Sequence, residues 1–311
     1  MTAYLIRRFL QALIVVWIVS VITFILLKML PGGPEMAIAG QHPSPAALEA
    51  AKLELGLEHP VWYQYWTWLK DICSGDLGFS YSLNQSVTSL LLNRLPQSLL
   101  LVGSSTILSL LIAIPVGVLQ AVRRNKAIDY LLTTVSFILY SMPIFMVAII
   151  LINVFSIDLP WFPPEGPQSL SDIHSLVLPV VSLAVIQVAL FSRYARSSVL
   201  EQITQDYVRT ARAKGASEIR ILFRHVLRNA LIPVVTLLGL SLPGLVAGAL
   251  VTESVFNYPG MGYLFLQAAN SEDYSTLLGT TILVAVATVL GSLLADLGYA
   301  ALDPRVRLGG S

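Results

Sequence analysis

Cysteine occurs once in the 311 residues, at Cys73, which excludes an intramolecular disulfide and any cluster of thiolate metal ligands. Charge is equally scarce. Only 12% of residues are charged and the formal net charge is +1, so no global basic field exists to hold nucleic acid. The chain has no G-x-x-x-x-G-K-[ST] loop to cradle phosphates, and hence no recognisable means of binding ATP itself. It also has no HExxH, and His42, His59, His174 and His225 fall outside the apolar runs, which removes the usual base of an intramembrane hydrolase. Pumps and secondary carriers commonly place carboxylates or cations mid-membrane. Here Asp296 stands near the cytoplasmic end of the last apolar run and Glu253 near the outer end of the fifth, positions that read as capping or loop-anchoring.

What the chain has in excess is apolar residues, 55% of the total, with a mean hydropathy of +0.74. This is the composition of an all-α, polytopic membrane protein. At about 20 apolar residues per crossing, spans fall near Phe9–Leu30, Leu95–Ala121, Tyr130–Phe155, Leu176–Ser192, Ala230–Val251 and Leu277–Leu297. The first run is longer than a signal-peptide core and is followed by Lys28 and PGGP, so it reads as a retained span. Of the 19 lysines and arginines, all but Lys28, Lys52, Lys70 and Arg94 lie at the two termini, at Arg123–Lys126 or between Arg193 and Arg228. By the positive-inside rule both termini are cytoplasmic. The organisation expected is a first span (1–30), an extracytoplasmic segment (31–94) and a five-helix core (95–311) with a cytoplasmic loop at 206–233.

The outer segment is patterned enough to fold. Ser44-Pro45 reads as a helix start, Gly56 as its stop, and GDLGFS (Gly75–Ser80) as a turn-rich link. Trp62, Tyr63, Tyr65, Trp66 and Trp68 form either an interfacial belt or a ligand-binding patch. Pro115 with Gly117, Pro143, Pro179, Pro233 and Pro243 with Gly244 predict kinked spans, a trait of moving pathways and of static bundles alike. Asn153, Gln187 and Ser241 could line a path or bond between helices.

The polar stretch Asp206–Pro233 sits between two apolar runs. Arg209, Arg212 and Lys214 precede Gly215, cations at the negative end of a helix closed by a glycine. Ser217 is then expected to cap a second helix, with Glu218 in its first turn. On that helix Ile219, Leu222, Phe223, Val226, Leu227 and Ala230 are expected on one face, with Arg220, Arg224 and Arg228 as a stripe on another. On pattern alone this is either an interfacial helix with positive flanks or a functional segment.

These motifs resemble, over nearly the whole chain, the permease subunit of bacterial peptide-type ABC importers, the dipeptide, oligopeptide and nickel family. Arg209, Thr210, Ala211 and, three residues on, Gly215 match the peptide-branch form of the cytoplasmic "EAA" signature, followed by RHVLRNALIP. Leu55–Pro60 and Gly75–Ser80 resemble the family's outer-segment pattern, VFNYPGMG (Val255–Gly262) its re-entry after the fifth span, and DLGYAALDPRVR (Asp296–Arg307) its C-terminal signature. Arg209 stands where other importer branches carry glutamate, and Pro233 lies farther from Gly215 than their proline does.

The resemblance implies a type I importer permease with six transmembrane helices in the bacterial inner membrane. It further implies a homologous second permease enclosing one pathway, two cytoplasmic ATPase subunits that bind ATP and Mg, and an extracytoplasmic solute-binding protein. On this expectation the chain is non-catalytic, needs no cofactor of its own, and touches lipid but no nucleic acid. Asp206, Arg209, Thr210, Ala211, Arg212, Lys214, Gly215, Ala216 and Ser217 are the residues expected to couple it to the ATPases. The rival reading is a secondary transporter or channel with a basic cytoplasmic loop; a membrane enzyme is more remote.

Overall fold

A computed structural model describes residues 2–29, 35, 44–54, 56–167 and 172–302. Leu30, residues 31–34 (PGGP), Leu55, Arg305 and Arg307 lie outside the described residues, as do the side chains of Arg7, Arg8, Pro243 and Asp296. The described chain is almost wholly helical, and its contacts divide it into two compact units.

The first unit comprises the residues up to Ser98, Leu242–Leu250 and those from Pro259 on. It opens with α1 (Thr2–Lys28), whose Leu13, Ile14, Trp17, Ile22 and Leu26 are exposed, as side chains facing lipid must be. Helix α2 (Pro45–Glu54) starts and stops where proline and glycine demand. Ser44 Oγ accepts the amide of Ala47, and Gly56 turns at φ +63°. Helix α3 (Val61–Cys73) divides its rings between two faces. Tyr65 and Trp68 each pack 5.4 Å from the Phe24 ring of α1, and Tyr65 Oη hydrogen-bonds Ser20 at 2.8 Å. Trp62, Tyr63 and Trp66 are exposed.

GDLGFS becomes more than a turn, because its last two residues form β1 (Phe79–Ser80), paired with β2 (Gln85–Ser86) in a minimal antiparallel hairpin. Buried Asp273 holds this hairpin by accepting from Ser80 and Ser82, and also caps α14 (Tyr274–Leu302) by accepting the Thr276 amide at 3.1 Å. Met261 and Leu264 of the short helix Met261–Asn270 complete the core of this unit with Val87, Leu90 and Leu91.

Helix α4 (Val87–Val122) begins before the expected Leu95 and runs without a break past Pro115. From Leu99 it belongs to the second unit, which extends to Ser241 and includes Val251–Tyr258. There α5 (Ala127–Ser141) and α6 (Ile144–Ile152) meet at a 100° bend. Pro143 causes it: the residue before a proline is pushed out of the helical region, and Met142 is extended at φ −75°, ψ 133°. A π-helical turn (Asn153–Asp158) follows α6. Helix α7 (Ile173–Ile203) runs on through Pro179 and is capped by Asp172, which accepts from the Ser175 amide and hydroxyl at 3.2 and 2.5 Å.

Helix α4 crosses α7 at Gly117, where a Cβ would lie 2.6 Å from the Ser192 carbonyl oxygen and 2.7 Å from the Ala195 Cβ. No side chain fits there. Next come α8 (Asp206–Ala213), α9 (Glu218–Arg220), a second π-helical turn (Ile221–Val226), α10 (Leu227–Ala230), α11 (Ile232–Ala247) and α12 (Leu250–Val255). The helix Met261–Asn270, in the first unit, is α13.

Among the described residues, four helical stretches are long and apolar enough to cross a bilayer: 87–122, 173–203, 218–239 and 274–292. The bent pair α5–α6 would make a fifth, and Leu13–Leu26 and Gly244–Val255 are shorter apolar helices. Of the six spans expected, with kinks at their prolines, two are broken outright. Pro143 splits the third, and the fifth is interrupted where Gly248 turns at φ +77°.

Candidate functional site

The stretch that follows α7 is built around α8. Asp206 occupies its first turn and pairs with Arg209 one turn on, N to O 3.6 Å, with side chains 97% and 74% exposed. Ion pairs so open to water contribute little stability, so this face is held out rather than held down. Thr210, also exposed, bonds back to the Asp206 carbonyl at 3.0 Å.

The opposite face carries Val208, fully buried in a cluster with Ala121, Val199, Ile221, Val226 and Ala230, against which Ala211 and Ala216 also pack. Burying one valine contributes roughly 1.5–3 kcal/mol, enough to seat a helix of two turns. Val208 was invisible in the sequence reading because a single apolar residue in a basic stretch sets up no periodicity.

The helix ends as its sequence dictates. Gly215 stands at φ +81°, its amide bonds the Arg212 carbonyl at 3.0 Å, and the Ala216 amide reaches back to Ala211 at 3.2 Å, the two bonds of a Schellman motif. Lys214 occupies the cap position beside it. Arg212 then crosses the turn to grip Glu218 with two parallel bonds, Nε to Oε1 at 2.6 Å and Nη2 to Oε2 at 2.9 Å. The hydrogen bonds from Arg212 to Glu218, and then the carboxylate's charge, hold the guanidinium above its ordinary value.

Ser217 corrects the sequence reading. It sits in extended conformation at the cap of α9, but its side chain makes no capping bond. Its carbonyl accepts from Ile221 at 2.9 Å, while Glu218 is drawn off by Arg212.

The second correction is the face of the following helix. Of the residues expected together on one apolar face, Ile219 and Phe223 are 73% and 66% exposed while Val226 is buried, and it is joined in the core by Ile221, which that spacing does not include. A π-helical turn repeats at i+5 rather than i+4, so burial steps from Ile221 to Val226 and only then resumes helical spacing at Ala230. Arg220, Arg224 and Arg228 are all exposed. A cavity of about 310 Å³ opens beside the Arg212–Glu218 pair, walled by Val122, Ile203, Val208, Ile219 and Leu222.

The three residues expected along a path or between helices lie on different elements. Asn153 opens the first π-helical turn and is exposed. Gln187 of α7 accepts from Ser109 at 3.0 Å and donates to Ser105 at 3.5 Å, joining α7 to α4. Ser241 is exposed and bonds the Leu238 carbonyl of its own helix. A polar group that the sequence reading did not single out is Asp129 of α5, buried and bridged by two bonds to Arg196 of α7 at 2.8 and 2.9 Å. No group of three histidines, cysteines or carboxylates is placed to hold a metal ion among the described residues.

Comparison with known proteins agrees with this architecture. Residues 113–308 match the binding-protein-dependent transport system inner membrane component, and residues 1–102 match its N-terminal membrane component. The chain is 42% identical to the oligopeptide transport system permease protein AppB of Bacillus subtilis over 98% of this chain and 99% of that one. It is 35% identical to the glutathione transport system permease protein GsiC of Escherichia coli K12 over 99% of each. Among solved structures, an inward-facing form of the MetNI methionine ABC transporter superposes with a TM-score of 0.55 at 22% identity, covering 69% of this chain and 96% of that one, a likeness of fold. A multi-pass helical chain with these relatives is no secondary carrier: it belongs to the binding-protein-dependent transport system inner membrane components, as a permease of the peptide-type ABC importers.

Proposed function

We propose that this permease imports short peptides, enclosing the path with a homologous second permease and receiving force from two cytoplasmic ATPase subunits through Asp206–Ser217. An extracytoplasmic binding protein would deliver the solute, and ATP and Mg²⁺ would be held by the ATPase subunits. Its own role is therefore non-catalytic. The substrate class rests on the relatives, one named for oligopeptides and another for glutathione, itself a tripeptide.

The observation that carries the coupling role is the two-sidedness of α8. One buried side chain, Val208, ties it to the ends of α4 and α7, while Asp206, Arg209 and Thr210 stand in solvent on the other face. A short helix seated this way can receive a push on its polar face and deliver it into the spanning helices. Alternating access would follow as rigid elements rock about the bent spans.

Gly215→Val tests this cleanly. A Cβ at this position meets nothing within 4 Å, so the substitution acts only through the strain of a β-branched residue at positive φ. In the assembled complex, permease abundance is expected to stay normal while uptake of a mixed pool of di- to pentapeptides and binding-protein-stimulated ATP hydrolysis fall together. Wild-type uptake and hydrolysis per complex would refute coupling through this segment. A wild-type complex that takes up none of the pool, and whose hydrolysis no peptide stimulates, would refute the substrate class.

A further inference from the structure

Among the described residues, the cluster that seats α8 draws on α4, α7 and the helices after α8, and α5 adds none to it. Yet α5 leads, across the Pro143 bend, into a whole broken span. What joins α5 to α7 at this end is polar. Asp129 is 2% exposed, accepts both bonds from Arg196, and also accepts from the Asn125 amide at 3.0 Å and the Thr133 hydroxyl at 3.4 Å. Gln120 of α4 donates to Thr133, and its buried Oε1 has no partner among the described residues. At the same level Gly117 brings α4 against the backbone of Ser192 and Arg196. Three helices thus meet at one polar knot.

A buried ion pair is a poor source of stability, since apolar replacements often do as well. What two parallel bonds from a planar guanidinium supply is fixed geometry. We propose that Asp129 and Arg196 are positioning residues for energy coupling: their ion pair makes α5, and the broken span it begins, move as one body with α4, α7 and α8.

The inference rests on α8 as the coupling element and has its own test. In the full complex with Cys73→Ser, the neutral pair Asp129→Asn with Arg196→Gln leaves no lone buried charge and is expected to assemble with its ATPases in normal amount. Peptide uptake per ATP hydrolysed is expected to fall about tenfold, within the range of ordinary coupling energies. The hydroxyl oxygens of Ser136 on α5 and Ser192 on α7 lie 3.5 Å apart, both buried. Ser136→Cys with Ser192→Cys, oxidised, should therefore tie the same two helices covalently and restore most of the loss, and reduction should abolish the rescue.

Unchanged uptake per ATP in the neutral pair overturns the proposal. So does a loss that the oxidised link leaves in place, or a complex from which the ATPases dissociate. Gly215→Val separates the two readings: normal coupling there, with loss and rescue at the ion pair, overturns α8 and leaves the tie, whereas the reverse pattern overturns the tie and leaves α8.

Discussion

Two glycines show how differently the same amino acid can be required. Gly215 is needed for its backbone angle and has open space around it; Gly117 is needed for its missing side chain and has an ordinary angle. Overpacking of this kind costs about 1–3 kcal/mol when the obstructing atoms are backbone and cannot move aside. Gly117→Val is accordingly expected to lower the thermal midpoint of the detergent-solubilised permease and its yield in the membrane. An unchanged midpoint would mean that α4 and α7 do not approach so closely. Gly215 was legible in the sequence because a helix stop is a local matter of cations followed by glycine. Gly117 was legible only as a companion of Pro115, since the chain that fills its missing Cβ arrives from a helix far away in sequence.

Among the elements, α7 offers a measurable cap. Its Asp172 is held below the ordinary aspartate range, first by the Ser175 hydroxyl and then by the Ser175 amide. A lowered folded-state value means that the cap's contribution is fully present above the ordinary aspartate value and is lost as pH falls through the lowered one. Slower hydrogen exchange at the Ser175 amide in wild type than in Asp172→Ala is therefore expected at neutral pH, persisting through the ordinary aspartate range and vanishing only below it. A difference already gone at the ordinary value would contradict the cap. Elements set by local chemistry, such as α2 between Ser44 and Gly56, were readable in advance. The π-helical turn at Ile221–Val226 was not, because an i+5 step leaves the same residues in the chain and alters only which of them face inward. Pro115, Pro143 and Pro179 look alike in sequence, and only Pro143 breaks its helix. The outcome depends on whether the surrounding packing holds the preceding residue helical.

For the molecule as a whole, orientation rests on the charge asymmetry of its loops, and the single cysteine is a natural reporter of it. Cys73 ends α3 and is exposed. A membrane-impermeant maleimide applied to intact, wall-stripped cells is expected to label it. Labelling only after the inner leaflet is opened would invert the topology. That the chain carries several apolar helices was readable from composition, while which of its prolines break a helix depended on packing.

The π-helical turn between α9 and α10 has a consequence for the aim of α8. A turn holding a surplus residue is a place where length can change at little cost. Deleting one residue within 221–226 would return the turn to ordinary α-helix and turn α8 by about 100° relative to the helix that follows. A single residue gained or lost in this turn would thus re-aim the exposed face of α8 against the helix that follows.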